Sequence, residues 1–404
     1  MSLDETIPPT TGPPPPPEAG FPAGRVLTVS AGHAAHDTYA GFLPVLLPHF
    51  VERFTLSNTQ AGWLSAFASL PSILQPVFGH LADRLVLRWV VILAPAITAT
   101  LMSLTGWAPS YLALAFLLGA AGLSSAAFHA VGSAAAGRLS ARHLGRGMSL
   151  WMVGGELGST LGPMLAAAAL TVLTMKELGL VMVLGWAASF LLYLQLRRVP
   201  LQGVSGADRP HWRHSLGRMR RLMLLMGALI LLRALALSAA SVFSPLLLKG
   251  EGSSGFVAGA AVALFQAAGV AGTLAAGWLS DRLGRRPVLL FGVLAGPAGL
   301  LLFVSLHGWV RFAFLALAGA TLVSLHPVYM ALVQESFPES RGLANAVYLS
   351  MVFVISSAAA VAVGALGDAL SLRWAFVVGA LVTLLSLPLL LLLPRQERVA
   401  GAAG

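Results

Sequence analysis

Three ionisable side chains crowd into five positions near the start of the chain: His33, His36 and Asp37. At helical spacing they stand at i, i+3 and i+4 and therefore share one face. A carboxylate flanked by imidazoles can take up and release protons, and the same donors suit divalent transition metals. His33 also permits a plainer reading, as a solvated residue near a helix end. Glu156 stands among glycines in Gly154-Gly155-Glu156-Leu157-Gly158, either as a proton carrier or as a packing carboxyl. Arg233 interrupts the run Leu231-Leu232-Arg233-Ala234-Leu235. An arginine does not shed its proton, so Arg233 needs an anion, which is either Asp37 across a cavity or an anionic solute. His129 and His326 join the set, with Tyr39, Gln266, Tyr329 and Trp151 as weaker candidates for substrate contact.

These residues matter because their surroundings are so apolar. Of 404 residues, 57% are hydrophobic, 10% are charged and none is cysteine. A soluble domain carries about a quarter charged residues, so a soluble enzyme is excluded. The lack of cysteine excludes disulfides, zinc–thiolate sites, iron–sulfur clusters and thiol nucleophiles. No phosphate-binding Gly-x4-Gly-Lys-Ser/Thr loop is present, so transport driven by a nucleotide bound there is excluded too. Apolar stretches of spanning length fall near 26–50, 58–79, 89–107, 109–136, 147–172 and 178–196, then near 222–247, 254–279, 287–306, 312–333, 342–366 and 374–394. They predict an all-α membrane protein with twelve transmembrane helices. A charge at the bilayer centre costs roughly 2.5–3.5 kcal/mol on insertion scales, so Asp37, Glu156 and Arg233 each demand a reason.

The remaining cations report topology. Of the 25 lysines and arginines, 19 fall on one set of alternate loops and tails, five on the other and one, Arg233, within a span. The positive-inside rule then places both termini in the cytoplasm. The net charge of +10 orients the chain and leaves no basic helix or patch as a nucleic-acid footprint. Residues 1–24, with Pro13 to Pro17, read as a disordered cytoplasmic tail, and 395–404 as a second tail. Two six-helix bundles, 25–196 and 221–394, are joined by a polar cytoplasmic linker, 197–220. An arginine-rich, Ala/Leu/Gly/Pro-rich composition is compatible with a GC-rich bacterial genome; the expected location is a bacterial inner membrane, and the expected working unit is a monomer in the lipid bilayer.

The two halves repeat one another about 200 residues apart. Gly79-His80-Leu81-Ala82-Asp83-Arg84-Leu85 recurs as Gly277-Trp278-Leu279-Ser280-Asp281-Arg282-Leu283, and Phe128-His129-Ala130-Val131 as Leu325-His326-Pro327-Val328. Arg146-Gly147 matches Arg341-Gly342, and Phe42-Leu43-Pro44 matches Phe243-Ser244-Pro245. Parallel repeats of this kind are a transporter architecture with the substrate path between them.

Gly277-x3-Asp281-Arg282-x-Gly284-Arg285-Arg286 resembles the loop motif of the major facilitator superfamily, and the first-half copy has Val86 in place of the glycine. Within that superfamily the chain is similar to the fosmidomycin-resistance efflux family. The segments that carry this are His33-x3-Asp37 with Leu43-Pro44, Leu74-Gln75-Pro76, Phe128-His129, Val153-Gly154-Gly155 through Gly158 to Leu161-Gly162-Pro163, and Gln334-Glu335-x2-Pro338. His36 and Glu156 depart from the neutral amides of that family, and Ala130 from its proline. Ala115 marks the place where proton-coupled drug antiporters carry an arginine. Coupling must then use other groups.

The resemblance implies the major facilitator fold, two pseudo-symmetric six-helix bundles, and a secondary transporter, not an enzyme. Its expected form is a proton-coupled antiporter exporting a drug-like, amphiphilic or anionic small molecule by alternating access. No cofactor beyond the proton gradient is expected. It also implies gating roles for Gly79, Asp83, Arg84, Gly277, Asp281, Arg282, Gly284, Arg285, Arg286 and Arg341, with Asp83 approaching the start of the eleventh helix near Gly342 and Asp281 that of the fifth near Gly147. A divalent metal-ion transporter using His33, His36, Asp37, His129 and His326 is the competing reading.

Overall fold

The computed structural model describes residues 22–84, 88–140, 144–199, 212–337 and 341–393. They form twelve membrane-length helical segments in two sets of six. The first set is α1 (Ala23–Ala40, resumed as Leu43–Phe54), α2 (Asn58–Ser69, through Leu70–Leu74 into Gln75–Arg84), α3 (Arg88–Leu104), α4 (Tyr111–Leu139), α5 (Leu144–Ala169) and α6 (Met182–Leu196). The second is α7 (Trp212–Ser238, resumed as Ser244–Gly250), α8 (Gly255–Leu283), α9 (Arg285–Ser305), α10 (Val310–Leu322, resumed as Leu325–Ser336), α11 (Arg341–Ala369) and α12 (Leu372–Leu384, then Ser386–Leu390). Among the described residues, nine of these segments are long and apolar enough to cross a membrane by themselves. The three below that mark are α1, α2 and α5. They carry the ionisable cluster, the first loop motif and the glycine-rich run, which lowers their hydropathy.

Prolines explain where helices break. The residue before a proline is driven out of the helical region, and the proline itself offers no amide. Helix α1 is interrupted just before Pro44, and α7 passes through a π-turn, Ala239–Phe243, just before Pro245. These two prolines are repeat partners, so both first helices of the halves bend at the same level. Helix α7 begins at Trp212, inside the expected linker 197–220, because the Arg-rich stretch after Pro210 contains no second proline to stop it. Residues 200–211, and the expected tails 1–21 and 394–404, lie outside the described residues.

Packing follows the repeat. Helix α1 lies on α5 and α7 on α11, α2 on α4 and α8 on α10, and α3 on α6 and α9 on α12. The halves meet where α2 lies on α11 and α5 on α8. These seams are tight at the end remote from the loop motifs. Gly62 abuts the Ala360 carbonyl, and Gly364 the Asn58 carbonyl, so closely that a Cβ at either would collide with backbone. At the arginine-rich end Gly79 and Gly277 face open space. The α2–α11 seam is therefore sealed at one end, while toward the loop motifs Gln75–Arg84 parts from α11 and leaves that end accessible.

The sealed end of the second half carries a clamp. The Glu251 carboxylate, between α7 and α8, accepts hydrogen bonds from Arg311 Nη1 and, at 2.8 Å, from Arg373 Nη2. Arg311 Nε also donates to the Phe303 carbonyl at 3.0 Å, and Arg373 Nη1 to that of Val304, so both arginines cover the C-terminal end of α9. Cations there are favoured by the helix dipole. Burial pushes the Glu251 carboxyl up, but the two arginines outweigh it and hold it below the ordinary carboxylate range. A depressed carboxylate contributes stability above its unfolded pKa and loses it as pH falls. Glu251→Gln should lower stability by about 1 kcal/mol at pH 7, read as thermal unfolding in detergent. The gap between wild type and variant should close as pH falls through and below the ordinary carboxylate range.

Candidate functional site

The middle of the first half holds a nest of polar side chains. Asp37, on α1, is 12% exposed and lies between two imidazoles. Its Oδ2 is 3.2 Å from His33 Nε2, one helical turn back, and its Oδ1 is 3.3 Å from His129 Nε2 on α4. His36 is fully buried, stacked 4.3 Å from Phe128, with Nε2 4.0 Å from Asp37 Oδ1. His33 stacks 3.8 Å from Trp151 of α5. Three helices thus meet around one carboxylate.

The far side of the His33 ring settles its hydrogen. His33 Nδ1 lies 2.8 Å from the Trp151 carbonyl oxygen, which only accepts, so this Nδ1 must donate. His129 Nδ1 lies 2.9 Å from the Ser125 carbonyl oxygen and 3.1 Å from the Ser125 hydroxyl, so it can donate to the first or accept from the second. A neutral His33 ring then turns a bare lone pair at Nε2 toward Asp37, acceptor against acceptor. Both contacts become attractive once Nε2 carries a proton, because an imidazolium is a charge-assisted donor to a carboxylate. The nest is built to hold hydrogen between Asp37 and its imidazoles. His129, 30% exposed at its side chain, is the most exposed member of the nest.

Glycines let α5 come this close. A Cβ on Gly154 would strike the Ser30 carbonyl of α1, and one on Gly155 would meet the His33 ring and Asp37 Oδ2. Glu156, next in sequence, is partly buried and forms no ion pair or side-chain hydrogen bond among the described residues. It borders the nest without joining it.

Arg233 does not face Asp37, which corrects the first of its two expected partners. It is 3% exposed on α7; Nη1 donates to the Leu322 carbonyl at 2.6 Å, and the guanidinium lies 5.8 Å from the Tyr329 ring centroid. Leu322 ends the first segment of α10, where the break before Leu325 leaves carbonyls without helical partners. Arg233 braces that break, and no carboxylate pairs with it among the described residues. His326 is in the second half, 2.9 Å from the Tyr348 hydroxyl. His326 is the repeat partner of His129, but its ring stacks on Tyr348, whereas in the first half it is His33 that stacks on Trp151.

Other expectations change. The Tyr39 hydroxyl is buried and donates to the Val181 carbonyl, just before α6, at 2.7 Å. Gln266, on α8, is partly buried. Asp281 is 68% exposed and pairs with Arg285 at 2.7 Å. Arg285 continues to Glu335 at 2.7 Å, Arg286 binds carbonyls at the end of α12, and Arg282 lies over Trp278. Gly284 takes a left-handed φ of 91° at the turn. The side chains of Asp83, Arg84 and Arg341 lie outside the described residues. His33, Asp37 and His129 place donor atoms within 4.8 Å of one another, but His326 is remote, so the five-residue metal set is not one site. Trp151, ranked low from sequence, holds His33 through both its ring and its carbonyl; its spacing from the Phe128-His129 pair on a neighbouring helix was the available signal.

Fold and site define a two-half membrane transporter. The model of the Major Facilitator Superfamily matches residues 29–256 and 226–403, and the chain belongs to that superfamily. It is 25% identical over 405 residues to the Fosmidomycin resistance protein of Escherichia coli (strain K12), covering 96% of this chain and 97% of that one. It is 26% identical over 388 residues to the uncharacterized MFS-type transporter YfnC of Bacillus subtilis (strain 168), covering 93% of each. Among solved structures, the nucleoside transporter NupG superposes with a TM-score of 0.72 at 14% identity, over 91% of this chain and 98% of that one. A D-xylose-proton symporter does so at 0.71 and 17%, over 91% and 96%. These two likenesses show the fold.

The glycine contacts separate packing from function. Gly154→Ala should cost about 1–3 kcal/mol of stability, since backbone stands in the way. Gly155→Ala should leave the thermal midpoint within a few degrees of wild type yet reduce transport, because its methyl displaces the His33 ring. Equal stability losses in the two would contradict this.

Proposed function

We propose that the protein is a proton-coupled antiporter that exports a drug-like, amphiphilic or anionic small molecule across a bacterial cytoplasmic membrane. The observation that carries this reading is the Asp37 carboxylate set between the Nε2 atoms of His33 and His129, with His33 Nδ1 committed to the Trp151 carbonyl. That arrangement is favourable with hydrogen between the carboxylate and the imidazoles, so occupancy by protons changes the forces between α1, α4 and α5. The excess of arginine at the accessible end supports a cytoplasm-facing orientation with both termini inside. In this orientation the solute enters between the halves from the cytoplasm while protons leave the nest. The halves then rock, the sealed end opens, the solute departs and the nest reloads. Rocking around a site at the repeat interface is the established logic of such folds.

The likeness to a protein named for fosmidomycin resistance makes fosmidomycin the first solute to test. None of the named relatives or neighbours is described as a metal transporter. With His326 absent from the nest, the metal-transport reading is not supported.

The test is solute flux in inside-out vesicles under an imposed pH gradient. Wild type should accumulate solute when the lumen is acidic and stop when the gradient is collapsed. Asp37→Asn should lose the gradient-driven part by at least about 100-fold, the scale of removing one essential proton carrier. Flux independent of the gradient and unchanged in Asp37→Asn would overturn the coupling assignment.

A further inference from the structure

The sealed end of the seam contains a bond set that neither the loop motifs nor the nest explains. Asp368 stands in the last turn of α11 and reaches across to the first turn of α2 in the other half. Its Oδ1 accepts the Asn58 amide at 2.8 Å; its Oδ2 accepts the Thr59 amide at 2.9 Å and the Thr59 hydroxyl at 2.6 Å. The first amides of a helix have no partner within it. Here the later one is met locally: Gln60 N donates to Ser57 Oγ, and Ser57 N donates back to Gln60 Oε1. The two amides between them are met by the opposite half. A carboxylate is also the charge that a helix N-terminus favours.

We infer that Asp368 is a positioning residue of the transport cycle: a latch that holds the sealed end of the α2–α11 seam shut while the other end is open. The inference rests on the alternating-access reading above, but its test needs no transport. Every donor lies in the first half and the acceptor in the second, so the three bonds cannot survive separation of α2 from α11. The groups are exposed, so water replaces the lost bonds when the seam parts. That limits the strength of the latch to what a reversible gate can release. The close backbone approach at Gly62 and Gly364 places the latch one or two turns from the tightest part of the seam. Opening at this end therefore has to break the latch and the glycine contacts together.

The chain contains no cysteine, so spin labels can be placed without removing any native residue. One pair, Lys176→Cys with Leu370→Cys, reports the sealed end; the other, His80→Cys with Leu283→Cys, reports the accessible end. All four positions are exposed. Electron–electron distance measurements on the full chain in lipid nanodiscs, without solute, should give a short sealed-end distance and a long one at the accessible end. Asp368→Asn removes the charge and should move the ratio of the two states by about tenfold toward the reverse pattern. Thr59→Val keeps the amide bonds but loses the hydroxyl, so it should move the ratio the same way by less, and it carries the test if Asp368→Asn does not fold. In the double variant the shift should match that of Asp368→Asn alone. Unchanged distance distributions in folded Asp368→Asn or Thr59→Val, even with lower thermal stability, would overturn the latch, as would additive shifts.

Discussion

An ionised carboxylate on a helix that crosses lipid survives only if its charge is met, and Asp37 is met by imidazoles alone. No lysine or arginine lies within ion-pair distance of it among the described residues. The compensation is thus conditional on hydrogen, unlike that of Glu251, whose partners are two arginines that keep their charge. Much of the first half is arranged around this condition. The glycines of α5 exist at a spacing that brings Trp151 over His33, and Phe128 holds His36 flat against the nest. In the second half the buried charge is Arg233, a permanent cation, which stabilises a helix break. One half therefore carries a switchable centre and the other a fixed one.

The seam completes the picture. Helices α2 and α11 touch at the end where Asp368 binds Asn58 and Thr59, while the motif glycines at the opposite end face open space. Within the second half, Arg285 and Arg286 tie α8, α9, α10 and α12 together at the accessible end, and the Glu251 clamp ties the other. Ion pairs within a half persist through any rigid rocking; only bonds across the seam must break.

Much of this was legible in the chain itself. Hydropathy alone placed twelve spans, because each must match the thickness of a bilayer, and the recurrence of Asp83 at Asp281 and of His129 at His326 exposed the two halves. Helical periodicity put His33 and Asp37 on one face, and the i,i+4 contact is there at 3.2 Å. What periodicity cannot supply is the partner from another helix. His129 reaches Asp37 from 92 positions away in sequence, and Asp368 reaches Asn58 across 310. Arg311 and Arg373 looked like topology markers because a loop cation carries no local trace of the carboxylate it will bind. Arg233 invited a pairing with Asp37 for the opposite reason: both were rare charges, and rarity does not say which way a side chain turns.

The claim on which the account stands is the placement of hydrogen in the nest. Solid-state NMR of the full chain in lipid bilayers, with 15N-labelled histidine and assignments from single His→Gln variants, observes it directly. The account predicts a protonated Nδ1 in His33, with any further hydrogen held between Nε2 and Asp37. A neutral His33 with its hydrogen on Nε2 and a bare Nδ1 would contradict it.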